Sequence, residues 1–253
     1  MKIGLALGGG AIYGLAHIGI LKVIESRGLK PDMIAGTSVG SLVGGIYASG
    51  VSPEEIEEIA MEFNWLEIAS ITLPKEGIVS IEKLEIFINE HTRVENIEDT
   101  PIKFMVVATD LLKGTEVLFE KGPIAPAIRA SCSLPGIFNP AVFGDSVFVD
   151  GGVLNNVPVD VLKRKKCGFV LGVDLIANAG LDIMKKRDIF NIVWKSWQLA
   201  IQANTALRSY KDADHIIMPK IRGINPFDIT KKRELIKICL LYTSDAADEE
   251  DSV

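Results

Sequence analysis

Residues 36–40 read Gly-Thr-Ser-Val-Gly, between the apolar run 32–35 and the small-residue run 41–48. A strand must end there, turn sharply and continue as a helix, with a serine at the apex. That is the G-x-S-x-G elbow, whose strained turn lifts a serine Oγ clear of the backbone. The flanking glycines let strand and helix approach closely, and the apex lies at the positive end of the helix dipole. Ser38 is therefore the expected nucleophile, against the plainer reading of an ordinary Gly/Ser turn.

The rest of the chain supplies the setting such an elbow needs. Apolar strand-like runs alternate with amphipathic stretches, which predicts a three-layer α/β fold with a mostly parallel central sheet and helices on both faces. Strands are expected at 3–7, 102–109, 115–119, 146–149, 168–175 and 215–218. Helices are expected at about 14–26, from the elbow to about 50, at 125–130, at 157–165 and at 188–210. Ser52-Pro53-Glu54-Glu55 reads as a capped helix start, with serine at the N-cap, proline next and acids in the first turn.

Composition narrows the class further. At 253 residues and 48% hydrophobic content the chain can bury one sizeable core. No apolar run reaches the roughly 18–20 residues that span a bilayer, and the N-terminus lacks a signal-peptide layout. A cytoplasmic location is expected, with peripheral contact at the inner membrane in view. Cys132, Cys167 and Cys239, like the three histidines, are scattered and show no metal-ligand spacing. The net charge is −6, but residues 239–253 carry five acids and no bases. Without them the chain is near neutral, which gives no footing for nucleic-acid binding. Residues 239–249 resemble the translation of a sequencing adapter, so the fold is read as a single domain over 1–238, with 239–253 set aside.

An acyl-transfer serine needs a base and donors for an oxyanion. Leu7-Gly8-Gly9-Gly10-Ala11-Ile12-Tyr13-Gly14 joins the first strand to the first helix, where glycines can expose successive backbone N–H groups. The spacing misses the dinucleotide fingerprint by one residue, and no Gly-Lys-Ser/Thr follows, so a nucleotide loop is the weaker reading. For the base, Ser38, Asp150 and His215 stand in triad order, but His215 begins a strand-like run and His17 sits in an apolar helix. Asp150, at a strand end before Gly151-Gly152, is the better candidate. Burial would raise its pKa from the feeble value of a solvated carboxylate.

Four blocks now stand in order: Gly8–Gly14 with Leu15-Ala16-His17-Ile18-Gly19; the elbow; Arg129-Ala130-Ser131-Cys132-Ser133-Leu134-Pro135-Gly136-Ile137-Phe138; and Asp150-Gly151-Gly152 with Asn155-Asn156-Val157-Pro158. Together they resemble the patatin-like phospholipase family, in its short bacterial form. The resemblance implies a Ser38–Asp150 dyad without histidine, and an oxyanion hole from the N–H groups of Gly9, Gly10 and Ala11. It implies no cofactor and no metal. Two positions depart from the family pattern, which has glycine at Ala11 and a cation at Tyr13. The Ala11 amide stays usable if its φ is negative; the lost cation removes a positive charge near the oxyanion or a structural ion pair.

Ile12, Val39, Leu134, Ile137 and Phe138 lie in the matched blocks and are candidates for an acyl-binding trough. Phe190, Trp194, Trp197 and Ile201 form a helical stripe that reads as a core-facing seam, while Lys185, Lys186, Arg187 and Lys195 suggest transient contact with an anionic lipid surface. The expected function is a serine acyl hydrolase acting on lipid esters through an acyl-enzyme. A general esterase or thioesterase is the nearest variant. A non-catalytic patatin-like protein that binds acyl lipids or a partner is the alternative from another class.

Overall fold

The computed structural model describes residues 1–63, 70–71, 79–178, 189–225 and 228–240. In chain order the elements are β1 Ile3–Leu7, α1 Leu15–Ser26, β2 Met33–Thr37, α2 Val39–Ala48, α3 Pro53–Glu62, the short pair β3 Ser70–Ile71 and β4 Val79–Ser80, and α4 Lys83–His91. Then come β5 Lys103–Asp110, β6 Thr115–Phe119, α5 Ile124–Ser131, β7 Ala141–Phe143, β8 Ser146–Asp150, α6 Val159–Arg164, β9 Phe169–Val173, α7 Ile189–Arg208 and β10 His215–Ile217. A last helix, α8, runs over 232–240.

The main sheet has eight strands in the order β10-β9-β1-β2-β5-β8-β7, with β6 also paired to β5. The first five are parallel to one another, while β6, β7 and β8 pair antiparallel. This is the mostly parallel α/β architecture that the alternating pattern predicts. Strands buried on both faces read as continuous apolar runs, and the alternation of side chains sorts them. Leu5, Leu7, Ile34, Phe104 and Val106 face a core shared with α1, α2 and α5. Ala6, Ala35, Met105 and Val107 face the opposite layer, packed on Val157, Val159, Val161 and Leu162.

Local chemistry sets the helix ends. Ser52 accepts from the Glu55 N–H while the Glu55 carboxylate takes the Ser52 N–H, a capping box that starts α3 where the sequence predicts it. At the other end of α3, Lys232 donates to the Met61 and Phe63 carbonyls at 3.1 and 2.5 Å. α8 also lies so close to α1 that a Cβ on Gly19 would stand 2.3 Å from the Ile236 carbonyl oxygen. Packing continues through buried Cys239 and half-buried Leu240, two residues past the boundary drawn at 238; residues 241–253 lie outside the described residues.

In α7, Trp194 and Ile201 are buried and Trp197 packs on the core, so the seam faces inward. The Phe190 side chain and Lys185–Arg187 lie outside the described residues. Lys195 is buried and donates to Gln198 at 3.3 Å, so it does not face a lipid surface. Cys132, Cys167 and Cys239 are buried, and none of them is in a disulfide among the described residues. Among the described residues no helix is long and apolar enough to cross a membrane.

Candidate active site

The register of β5 explains why Ser38 and Asp150 meet. Val106 and Val107 of β5 pair with both β2 and β6, and Ala108–Asp110 pair with both β6 and β8. β2 and β8 therefore share one edge of β5 and run toward each other along it. Thr37, the last residue of β2, lies opposite Val107, and Asp150, the last of β8, lies opposite Ala108. Ser38 and the Asp150 side chain are delivered to the same seam from opposite directions.

Ser38 holds φ 54° and ψ −129°, a left-handed backbone that costs a non-glycine residue about 1–2 kcal/mol. Close contact leaves the elbow no room for side chains at its flanking glycines. A Cβ at Gly36 would lie 2.6 Å from the Gly40 carbonyl oxygen, and one at Gly40 would lie 2.1 Å from that of Leu7. The Ser38 carbonyl accepts the Ser41 and Leu42 N–H groups at 2.8 and 3.1 Å, which starts α2.

The Ser38 hydroxyl stands beside the Asp150 carboxylate, close enough to lower its pKa. Asp150 is 2% exposed, and burial pushes its carboxyl up to about 6, although the Ser38 hydroxyl and the Gly152 N–H both pull it back. The Gly152 N–H donates to Asp150 Oδ1 at 2.7 Å, which fixes the carboxylate plane. A hydroxyl beside a carboxylate of that affinity has an acceptor for its proton close by at neutral pH.

The glycine loop differs in detail from the expectation. The Gly8 N–H donates to the Val173 carbonyl at 3.0 Å and the Gly9 N–H to the Asn156 carbonyl at 3.3 Å. Gly9 is therefore spent on holding the loop, and it is also the point of closest approach: a Cβ there would meet Ser38 Cβ at 3.1 Å and Asn156 Oδ1 at 2.8 Å. Among the described residues, the N–H groups of Gly10 and Ala11 have no partner. Of the three loop donors expected, these two are left beside the elbow. Ala11 has φ 51°, so its amide is kept in place by a strained backbone and not by a negative φ.

Tyr13 is fully buried, and its hydroxyl donates to the Ile224 carbonyl at 2.6 Å. It stands for a structural tie and not for a charge at the anion site. His17 Nε2–H donates to the Gly8 carbonyl at 2.8 Å, and burial lowers its pKa to about 4, so it is a neutral brace under the loop. His215 is exposed and pairs with Leu171, two residues before the Val173 end of β9 that borders the glycine loop. No triad forms there.

An apolar cleft begins at Ala11, Ile12 and Val39 and runs along Leu42, Val43 and Ile46 of α2 toward Phe63, Phe87 and Lys232. Ile12 and Val39 fall where the trough is expected. Leu134, Ile137 and Phe138 do not line it; Leu134 is buried and Phe138 packs against the main core.

Sequence reasoning passes over three supports. The Ser131 hydroxyl accepts the Ser38 N–H, the Asn155 carbonyl accepts the Thr37 hydroxyl at 2.9 Å, and the Asn156 carbonyl holds Gly9. Each side chain or carbonyl lies more than 90 residues from its partner, which no local pattern encodes.

The family model for patatin-like phospholipases matches residues 5–163. A lysophospholipase NTE1 of Scheffersomyces stipitis is 34% identical over 179 residues, covering 68% of this chain and 12% of that protein. An uncharacterized NTE family protein of Mycobacterium tuberculosis is 33% identical over 183 residues, covering 69% of this chain and 49% of the other. The chain thus spans half or less of these relatives. The crystal structure of VipD from Legionella pneumophila superposes with a TM-score of 0.58 at 16% identity, over 98% of this chain and 67% of that one, which is a likeness of fold. With the four sequence blocks gathered around one seam of the sheet, the chain belongs to the patatin-like phospholipase family.

Proposed function

We propose that the chain is a serine acyl hydrolase that cleaves carboxylic esters of lipids through a Ser38–Asp150 dyad. Ser38 Oγ attacks the carbonyl carbon and its proton passes to Asp150. The oxyanion that forms takes the N–H groups of Gly10 and Ala11, each such donor contributing about 3 kcal/mol in comparable sites. Collapse breaks the ester C–O bond, the Asp150 proton goes to the departing alcohol oxygen, and an acyl-Ser38 ester remains. Water then adds to that ester while Asp150 accepts a proton, and the second collapse releases the acid and returns the proton to Ser38.

The observation that carries this reading is the Ser38 hydroxyl set beside a buried carboxylate, with two unpartnered N–H groups of the glycine loop next to it. The apolar cleft starting at Ala11 and Val39 supports an acyl chain as the group to be held. The names of the fungal relatives agree with a lipid ester as substrate. The binding-protein alternative keeps one argument, the strained Ala11, since Tyr13 has a structural role. Lipid-surface contact is part of the proposal because α7 exposes Ile192, Val193, Leu199 and Leu207. Absence of co-sedimentation with anionic or zwitterionic vesicles would remove that part alone.

The test is hydrolysis of medium-chain p-nitrophenyl esters and labelling by a fluorophosphonate, for the parent, Ser38→Ala, Asp150→Asn and His215→Ala. The first two variants should lose turnover and His215→Ala should keep it. A folded parent that neither turns over nor labels would favour the binding protein, and a dead His215→Ala would overturn the dyad.

A further inference from the structure

The seam where β2 and β8 meet end to end is a weak point of the sheet. Ser38 sits on it with a strained backbone, and the ladder along that edge of β5 changes partner between Val107 and Ala108. Three consecutive residues at the end of α5 bridge this gap. Ser131, fully buried, accepts the Ser38 N–H at 2.7 Å and donates its own hydroxyl to the Val107 carbonyl at 2.5 Å. The Cys132 thiol stands near the Ser38 and Ser41 hydroxyls. The Ser133 carbonyl accepts the Asp150 N–H at 2.9 Å. One turn of chain therefore touches the nucleophile, the proton acceptor and the strand between them.

We infer that Ser131 is a positioning residue for the proposed reaction, its hydroxyl suturing the strained Ser38 elbow to β5 so that Oγ stays aligned with Asp150. The inference deepens the acyl-hydrolase reading and rests on it. A hydroxyl suits the place because it accepts one bond and donates the other; an amide N–H and a carbonyl cannot bond through a methyl group. Without it, both the Ser38 N–H and the Val107 carbonyl lose a partner in a buried site, and the left-handed Ser38 loses the bond that opposes its strain. The Ser38 carbonyl keeps its bonds to α2, so the helix should persist while the apex relaxes. Misalignment of that kind slows the chemical step and leaves the acyl cleft intact.

The experiment compares fluorophosphonate labelling rates and ester kinetics for the parent, Ser131→Ala, Ser131→Thr and Ser131→Cys, at a temperature where circular dichroism shows each folded. Ser131→Ala should label and turn over 10- to 100-fold more slowly with KM within twofold of the parent. Ser131→Thr, which keeps the hydroxyl, should recover at least part of the rate. Ser131→Cys keeps the volume while weakening both bonds and should fall in between; it decides the same question should the alanine variant not fold. Parent-like rates in Ser131→Ala, or a loss expressed in KM, would overturn the inference while leaving the acyl-hydrolase reading standing. An unreactive parent would instead remove that reading and this inference with it.

Discussion

The Ser38 hydroxyl stands beside the carboxylate of Asp150, a residue that burial holds near a pKa of 6. As the proposed base, Asp150 must be ionised in the free enzyme. Below about pH 6 each further unit of acidity should cost about tenfold in kcat/KM, and above it the profile should level. A profile of ester hydrolysis from pH 4.5 to 8.5 checks this. An acid limb centred near 4, as for a solvated carboxylate, would mean that the site is wetter than its packing indicates.

The same burial has a stability consequence of opposite sign to the usual carboxylate case. Asp150 holds its proton more tightly folded than unfolded, so the folded state binds more protons between about pH 4 and 6. Its contribution is full below the unfolded pKa and is lost as pH rises through 6, a loss of about 3 kcal/mol at neutral pH. Asp150→Asn should therefore be more stable than the parent at pH 7.5, with the difference shrinking toward pH 4.5. Urea midpoints at the two pH values decide it; equal shifts at both would show that ionisation of Asp150 is not what strains the fold.

Ala11 carries φ 51° at a position where the family loop has glycine. Ala11→Gly should relieve about 1 kcal/mol of backbone strain, partly offset by the greater freedom of glycine in the unfolded chain. The N–H stays in place, so kcat/KM should hold or rise. A drop beyond fivefold in Ala11→Gly would mean that the methyl group itself contacts substrate in the cleft it lines.

Much of this arrangement is legible locally. The elbow can be read from Gly36, Ser38 and Gly40 because its demands, a sharp turn and close approach, are met within five residues. The α3 cap is equally local, from Ser52 to Glu55. Asp150 is legible as a presented acid, but its partner is not, since the meeting of β2 and β8 depends on the register of β5. The Gly9 N–H, expected at the oxyanion, is instead consumed by Asn156, a long-range bond that no spacing announces. β7 spans only Ala141–Phe143, too short for an alternation to show. α4 mixes Ile86, which is exposed, with buried Leu84 and Ile88, so its pattern is blurred. α8 is obscured because its last residues run into the acidic tail.

The cleft gives a prediction about chain length. It follows α2 from Val39 to Ile46, two helical turns or about 10 Å. Ile46→Trp should block its deeper part and shift the preferred p-nitrophenyl ester toward shorter acyl groups, with the shortest ester hydrolysed at the parental rate. An unchanged chain-length profile in a folded Ile46→Trp would place the acyl chain elsewhere.

Tyr13 tests whether the second departure from the family loop is structural. Its hydroxyl is the group that ties the loop to Ile224, and both ends of that bond are buried. Tyr13→Phe leaves the ring in place and the Ile224 carbonyl without its donor, a loss of about 1–3 kcal/mol. For a domain of this size that lowers Tm by roughly 2–4 °C per kcal/mol. The effect should appear in Tm alone, with kcat and KM near parental at 25 °C, because the bond is made to the Ile224 carbonyl and to no group of the proposed dyad. Were Tyr13→Phe to lose activity at unchanged Tm, the phenol would belong to the chemistry, and the missing cation of the family loop would have a functional substitute here.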